Sequence, residues 1–458
     1  MQETLARLTR GKRVCLLGFG REGRSTYTYL RKVLPDLELT VLDQDTALHG
    51  KLPESMLQDP MLNFVLGDNY LSRARDFDLF IKSPGITLHT LNGIIPTQKL
   101  TSQTDLFLSA YHRQVVGVTG TKGKSTTASL IYHIMRQQDE DVLLVGNIGT
   151  PPFEMIREIS ESTRIVFELS AHQLETISRA PKTSILLNLL PEHLDHFSSL
   201  HDYHAAKLNI VKFQDAEDTL IYHHDDSYMQ ETVRQLINKR QDIFTYSLTE
   251  ELLMGCHLSG GELVYNAKGE KRSFRIKDFK LKGKHNILNL MATVLACKLN
   301  NIDDNSIVAG VRTFRGLRHR LEYAGFYGGL HFYNDSIATI PEATIEAVKA
   351  LGKIDILILG GYDRKIDYSG LISFLVLADI NNIICIGDAG KRIYHGLLEQ
   401  GARRSVYLAD NYEKVFEIIR AVGKQDGICL LSPAAASYDM FKNFEERGDL
   451  FTELARSI

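Results

Sequence analysis

The chain has 458 residues, 44% hydrophobic and 24% charged, and its 53 Lys and Arg against 56 Asp and Glu leave a formal net charge of −3. At roughly 150 residues per domain this suggests about three domains, each able to bury a core without staples. The composition excludes disordered, collagen-like and disulfide-scaffold chains, and the near balance of charge argues against an obligate nucleic-acid binder.

In chain order, short apolar runs predict strands over 13–17, 39–43, 63–66 and 78–81, then 114–119, 142–145, 164–168 and 184–188, and finally 330–334, 355–359, 382–386 and 427–431. Amphipathic stretches such as 125–136 and 341–350 separate most of them. Strands alternating with helices predict α/β architecture with doubly wound parallel sheets. The segment 251–274, with Gly260-Gly261 and Lys268-Gly269 between short alternating runs, predicts β-hairpins at the edge of the middle domain. The expected domains are 1–110, 111–313 and 314–458. Cys15, Cys256, Cys297, Cys385 and Cys429 are dispersed with no CxxC pair, the pattern of buried apolar residues in a reducing compartment. No apolar run reaches the ~18 residues of a membrane span, and the N-terminal stretch lacks a signal-peptide core. A cytoplasmic chain with neither nucleic-acid nor membrane partners is expected.

Two glycine loops follow strands. The first, Gly18-Phe19-Gly20-Arg21-Glu22-Gly23, is followed twenty residues later by Asp43 at the end of the next strand. That spacing fits a dinucleotide fingerprint, and equally another nucleotide or a tight turn. The second runs through Gly120-Thr121-Lys122-Gly123-Lys124-Ser125-Thr126 into a helix. Backbone N–H groups of such a loop cradle phosphates, the lysine neutralises them, and the following hydroxyl reaches Mg²⁺. The strict motif requires glycine where Val118 stands, and the glycines fall at 117, 120 and 123 instead, so the spacing is non-standard. Two such loops on separate domains fit an ATP-driven enzyme whose second substrate also carries a nucleotide.

Further candidates lie after strands. Glu168 is placed for a hard cation. His193, among Glu192, Asp195 and His196, reads equally as a metal or acid–base site and as a solvated turn. Lys207 sits in a helical pattern, where a lone lysine is by default solvated. Arg318, His319 and Arg320 form a cationic cluster suited to phosphate or carboxylate. Asp335, Arg364 and the Ser432–Ser437 segment follow other strands of the last third, consistent with a binding edge there.

Taken together these motifs resemble the Mur ligases, ATP-dependent amino-acid ligases of peptidoglycan precursor assembly. The resemblance rests on 120–126, Gly146-Asn147-Ile148-Gly149, Glu168-Leu169-Ser170, Glu192-His193-Leu194-Asp195, Lys207, His285-Asn286-Ile287-Leu288-Asn289, 316–322 and Asn334-Asp335-Ser336. Within the family the chain is most similar to the glutamate-adding branch, through the first glycine loop, Ser83-Pro84-Gly85-Ile86, and Ser432-Pro433-Ala434-Ala435-Ala436-Ser437 with Asn443-Phe444-Glu445 and Arg447-Gly448.

The resemblance implies three domains: a Rossmann-like N-terminal domain, a P-loop-type central ATPase domain and a Rossmann-like C-terminal domain. It implies catalytic roles for Lys124, Asn147, Glu168, His193 and Lys207. ATP would be held by residues 120–126 (Gly120, Thr121, Lys122, Gly123, Lys124, Ser125, Thr126) with Asn286, Asn289, Arg320 and Asp335. The UDP substrate would lie against Gly18, Gly20, Arg21, Glu22, Gly23, Asp43, Ser83, Pro84 and Gly85. The amino acid would meet Thr339, Arg364, Ser437, Tyr438 and Phe444. Mg²⁺ would be held by Ser125, Glu168, His193 and Lys207, the last as a carbamate. The implied partners are ATP, UDP-N-acetylmuramoyl-L-alanine and glutamate, and a monomer is expected. The implied reaction runs through an acyl phosphate.

The chain departs from the family pattern around the amino-acid pocket. Ile337 stands for a lysine, Ile340 for an asparagine, Arg364 for a lysine, Ala435 for a cysteine and Tyr438 for a leucine. D-glutamate is the first expectation and L-glutamate the second. A nucleotide-dependent dehydrogenase and a folylpolyglutamate-type ligase are the competing readings.

Overall fold

The computed structural model describes residues 1–190, 197–237, 241–281, 283–401 and 405–458. The chain forms two compact units, Met1–Phe314 and Arg315–Ile458.

The first unit carries two sheets. Strands β1 (Val14–Leu17), β2 (Leu39–Asp43), β3 (Leu62–Leu66), β4 (Leu79–Lys82) and β5 (Leu100–Ser102) form an all-parallel sheet in the order 3-2-1-4-5. The order reverses beside β1, so a crevice opens at the carboxyl ends of β1 and β4, where open α/β sheets bind ligands. The second sheet holds β6 (Val115–Thr119), β7 (Val142–Gly146), β8 (Arg164–Glu168), β9 (Thr183–Leu186), β10 (Thr219–His223), β11 (Asp242–Ser247), β12 (Gly255–Ser259), β13 (Glu262–Ala267) and β14 (Glu270–Arg275). Its order is 14-13-12-11-10-9-6-8-7. The β12–β13–β14 meander is antiparallel and lies at the sheet edge, as the glycine-punctuated pattern predicts.

The second unit is a six-stranded sheet of β15 (Glu322–Tyr327), β16 (Leu330–Asn334), β17 (Ile354–Gly360), β18 (Ile380–Ile386), β19 (Ser405–Ala409) and β20 (Gly427–Leu431), in the order 15-16-20-17-18-19. Every residue of β17 is buried, the mark of a central parallel strand covered on both faces. The edge strand β15 pairs antiparallel with β16 through Gly328 and Gly329, both at positive φ.

The twelve predicted strands are all present, within three residues at each end. The sequence pattern misses β5, β10, β11, β15 and β19. These are short or only partly buried, and their apolar runs are of four residues or fewer, as in Val406–Ala409 of β19. All five cysteines are free and buried. Among the described residues, no helix is long and apolar enough to cross a membrane.

Candidate active site

The first glycine loop closes over the end of β1. Asp43 does more than offer a free carboxylate: its Oδ2 accepts from Phe19 N at 2.7 Å and its Oδ1 from Asp45 N at 2.8 Å, so it shapes the loop. Ser83, after β4, donates its hydroxyl to Gly18 O at 2.7 Å and joins the two loops across the crevice. Together they bound a cavity of about 630 Å³ lined by Gly18, Gly20, Arg21, Glu22, Asp43, Ser83, Pro84 and Gly85, with Gly146 and Asn147 of the second sheet. Gly23 does not line it. A Cβ there would meet Gly18 O at 2.3 Å, so Gly23 serves close helix-to-strand packing instead.

The second glycine loop follows β6. Gly123, at φ +87°, is the N-cap of the helix Lys124–Gln138, and a Cβ there would lie 2.5 Å from Asn289 Oδ1. Left-handed backbone and close approach both demand glycine at this position. Asn289 therefore sits directly against the loop, and Asn286 lies 3.4 Å from it. The Lys124 ammonium donates to Thr121 O at 2.8 Å. The loop is fastened from β9 by Asn188, whose Oδ1 accepts from Lys122 N at 2.8 Å and whose Nδ2 donates to Lys122 O at 3.0 Å. Asn188 lies beyond the end of β9, although the apolar pattern includes it in the strand; a polar residue at a strand's carboxyl end is the signal for it.

Lys207, in the helix Leu200–Lys212, corrects the default of a solvated helix lysine. It is 1% exposed, donates to Gly120 O at 2.9 Å and lies 4.6 Å from the Tyr203 ring centre. Glu168 is fully buried at the end of β8. Its Oε1 accepts from Asn147 Nδ2 at 3.0 Å, while its Oε2 is buried with no hydrogen-bond partner. A withdrawn carboxylate oxygen of this kind is costly unless a cation or donor completes it. Lys124, Asn147, Ser170, His172 and Lys207 line a second cavity of about 360 Å³ that shares Pro84, Gly85 and Asn147 with the first. The first glycine loop and Lys124 of the second, a hundred residues apart in sequence, thus line neighbouring cavities that share three wall residues. His193, with Glu192, Asp195 and His196, lies outside the described residues.

In the second unit three loops converge at the carboxyl ends of β16, β17 and β20. Asp335 is buried; its Oδ1 accepts from Leu321 N at 3.0 Å and its Oδ2 from Ser432 Oγ at 2.8 Å, and burial pushes its carboxyl up to about 6. Arg364 is exposed and donates to Thr339 O at 2.6 Å. Ser437 is buried, whereas Tyr438 is exposed beside Tyr362, with ring centres 6.5 Å apart. Arg320 is exposed and Phe444 partly buried.

The sequence reading does not single out Arg447 as a site residue. Its guanidinium is buried and donates to Ser336 Oγ and O, Ala435 O and Ala436 O at 2.7–3.2 Å, tying the loop after β16 to the loop after β20. Replacing Arg447 with Met leaves Ser336 O and Ala435 O without that donor, at about 1–3 kcal/mol each, while Ala436 O keeps its bond from Tyr362 N. Thermal unfolding should show Arg447→Met lowering the Tm of the second unit; an unchanged Tm would contradict this role.

Comparison with known proteins follows the same lines. The Mur ligase middle domain matches residues 118–297. The chain is 30% identical over 460 residues to the UDP-N-acetylmuramoylalanine–D-glutamate ligase of Acetivibrio thermocellus, covering 98% of this chain and 97% of that one. It is 31% identical over 457 residues to the enzyme of the same name from Clostridium botulinum, with coverage of 98% and 97%. The chain belongs to the Mur ligase family. It is therefore an ATP-dependent, amide-bond-forming ligase of peptidoglycan-precursor assembly. Among solved structures the ligase is similar in fold to the UDP-N-acetylmuramate–alanine ligase MurC of Thermotoga maritima (TM-score 0.54, 16% identity, 97% of this chain and 99% of that one). It is equally similar to Thermotoga maritima MurF, solved in complex with ADP (TM-score 0.54, 14% identity, coverage 98% and 97%).

Proposed function

We propose that the ligase joins glutamate, D-glutamate first, to the alanyl carboxylate of UDP-N-acetylmuramoyl-L-alanine in the cytoplasm, driven by ATP. The two neighbouring cavities, one at the first glycine loop and one at Lys124 and Lys207, with Pro84, Gly85 and Asn147 common to both, carry this reading. The UDP portion would occupy the cavity around Gly18, Arg21, Ser83 and Gly85, with the acceptor carboxylate reaching past Asn147 toward Lys124.

A carboxylate is a poor electrophile, so it must first be activated. One of its oxygens takes the γ-phosphoryl group of ATP, forming an acyl phosphate and ADP. The glutamate amine attacks the carbonyl carbon, a tetrahedral adduct forms, and inorganic phosphate leaves as the amide closes. The 120–126 loop and Lys124 hold and neutralise the transferring phosphoryl group, where positioning and charge supply most of the rate. Asn289, against the loop, and its neighbour Asn286 suit the nucleoside end.

The unpartnered Glu168 Oε2 fits a divalent cation, and no group of three His, Cys, Asp or Glu side chains among the described residues forms a complete protein cage. That donor set suits Mg²⁺, which keeps waters and phosphate oxygens as ligands. Glu168, Ser125, His193 and a carbamylated Lys207 would hold it, and when bound it supplies charge neutralisation on the phosphates. Thr339, Arg364, Ser437, Tyr438 and Phe444 would receive the amino acid, with the Arg364 guanidinium on a carboxylate.

Incubating the ligase with ATP, the UDP acceptor and either enantiomer of glutamate, then weighing the product by mass spectrometry, tests the assignment. The relatives' names and the overall match predict product with D-glutamate. Product with L-glutamate alone would mean that Ile337, Ile340, Arg364 and Tyr438 mark a reshaped pocket.

A further inference from the structure

A buried cation lies beside this space with no part in the chemistry above. Lys82, the last residue of β4, has a side chain 1% exposed, and its ion-pair partner Glu175 is 6% exposed. The Lys82 ammonium donates to Ile86 O at 2.7 Å, to Ser83 O at 3.4 Å and to Glu175 Oε2 at 3.0 Å. The first two bonds hold the loop that walls the acceptor cavity. The third reaches the C-cap of the short helix Ala171–Leu174, which begins just beyond Glu168.

A second tie runs parallel to it. Gln173 closes a capping box on Ser170, accepting from Ser170 N at 3.0 Å, and its Nε2 donates to Glu22 Oε1 at 2.6 Å. Glu22 belongs to the first glycine loop, and Ser170 lines the cavity of Lys124 and Lys207. Two loops of the first sheet are thus anchored on one turn of the second.

Burying an ammonium and a carboxylate is a poor route to stability, since an apolar pair of similar volume commonly does as well or better. What an apolar pair cannot supply is the bond to Ile86 O.

We propose that Lys82 is a positioning residue for the acceptor substrate: with Glu175 it fixes the 83–86 loop in register with the helical turn Ala171–Leu174 that follows Glu168. This rests on the ligase reading above, in which the 83–86 loop receives the UDP acceptor.

The test uses the full chain with Lys82→Met, Glu175→Gln and the double variant Lys82→Met/Glu175→Met. Each single change removes one member of the buried ion pair, so both should lower the Tm, and the double variant should recover most of it. The double variant should nevertheless keep an acceptor KM about tenfold above wild type, with the KM for ATP within about twofold. Peptides spanning 83–87 should exchange amide hydrogens faster in the ligand-free double variant than in wild type.

Recovery of the acceptor KM together with the Tm would reduce Lys82 to a structural residue and overturn the proposal. So would a parallel rise in the KM of all three substrates, or unchanged exchange at 83–87. Should the single variants not fold, the double variant decides alone. Should wild type fail to turn over the UDP acceptor, the functional reading falls, and exchange at 83–87 alone decides whether Lys82 fastens the loop.

Discussion

Replacing Lys124 with Ala should abolish ligation while leaving the fold intact. The Lys124 ammonium donates to Thr121 O within its own loop and lines the smaller cavity with Lys207 and Asn147. On the proposed mechanism it would face the charge spread over the transferring phosphoryl oxygens, where a single preorganised donor contributes about 10³-fold, or ~4 kcal/mol. Alanine is a strong helix former, so the first turn of the helix Lys124–Gln138 survives the change. Steady-state ADP release should therefore fall about 10³-fold while the Tm holds within about 3 °C. Full activity in Lys124→Ala would remove the phosphate loop from the mechanism.

Replacing Lys207 with Ala should be nearly as damaging, and a small carboxylate should restore part of the loss. The side chain is buried, packs on Tyr203 and reaches Gly120 O of the phosphate loop. A carbamate at its tip would convert a cation into an oxygen donor beside Gly120 of the second glycine loop. Truncation empties a volume that acetate or propionate can enter and offers the missing carboxylate back. Lys207→Met removes the same chemistry but fills the space, so it should be equally inactive and respond less to added carboxylate. Activity measured against increasing acetate separates the cases: a rise in Lys207→Ala supports the carbamate, and no rise at any concentration counts against it.

The central strands were legible because buried parallel strands are uninterrupted apolar runs, as in β17 and β20. The edge strands β15 and β19 were not: β15 is interrupted by Gly325 and half exposed, and β19 offers only the short run Val406–Ala409, mostly outside the core. The second glycine loop was legible as a strand–turn–helix unit despite its irregular glycine spacing, since strand, glycines, lysine, hydroxyl and helix occur together. The first loop was legible as a glycine turn after a strand; its spacing fits a dehydrogenase as well as a ligase, and family membership gives the ligase class.

Buried cations were the systematic blind spot. Lys82, Lys207 and Arg447 look in sequence like solvated side chains, because the partners that bury them lie 93, 87 and 111 residues away. Arg447 occurs within a quoted motif, yet nothing in that motif points to the carbonyls of Ala435 and Ala436 as its acceptors. The same limit applies to Gly23, whose fingerprint position suggests ligand contact while its atoms pack on Gly18.

The account stands on the acceptor carboxylate being delivered through the shared space to the γ-phosphoryl group. Acceptor labelled with ¹⁸O in its alanyl carboxylate, incubated with ATP and glutamate, tests this directly. The bridging oxygen of the acyl phosphate comes from that carboxylate and departs with phosphate when the amine attacks. The account predicts inorganic phosphate carrying one acceptor-derived ¹⁸O for each amide formed; unlabelled phosphate accompanying amide formation would contradict it.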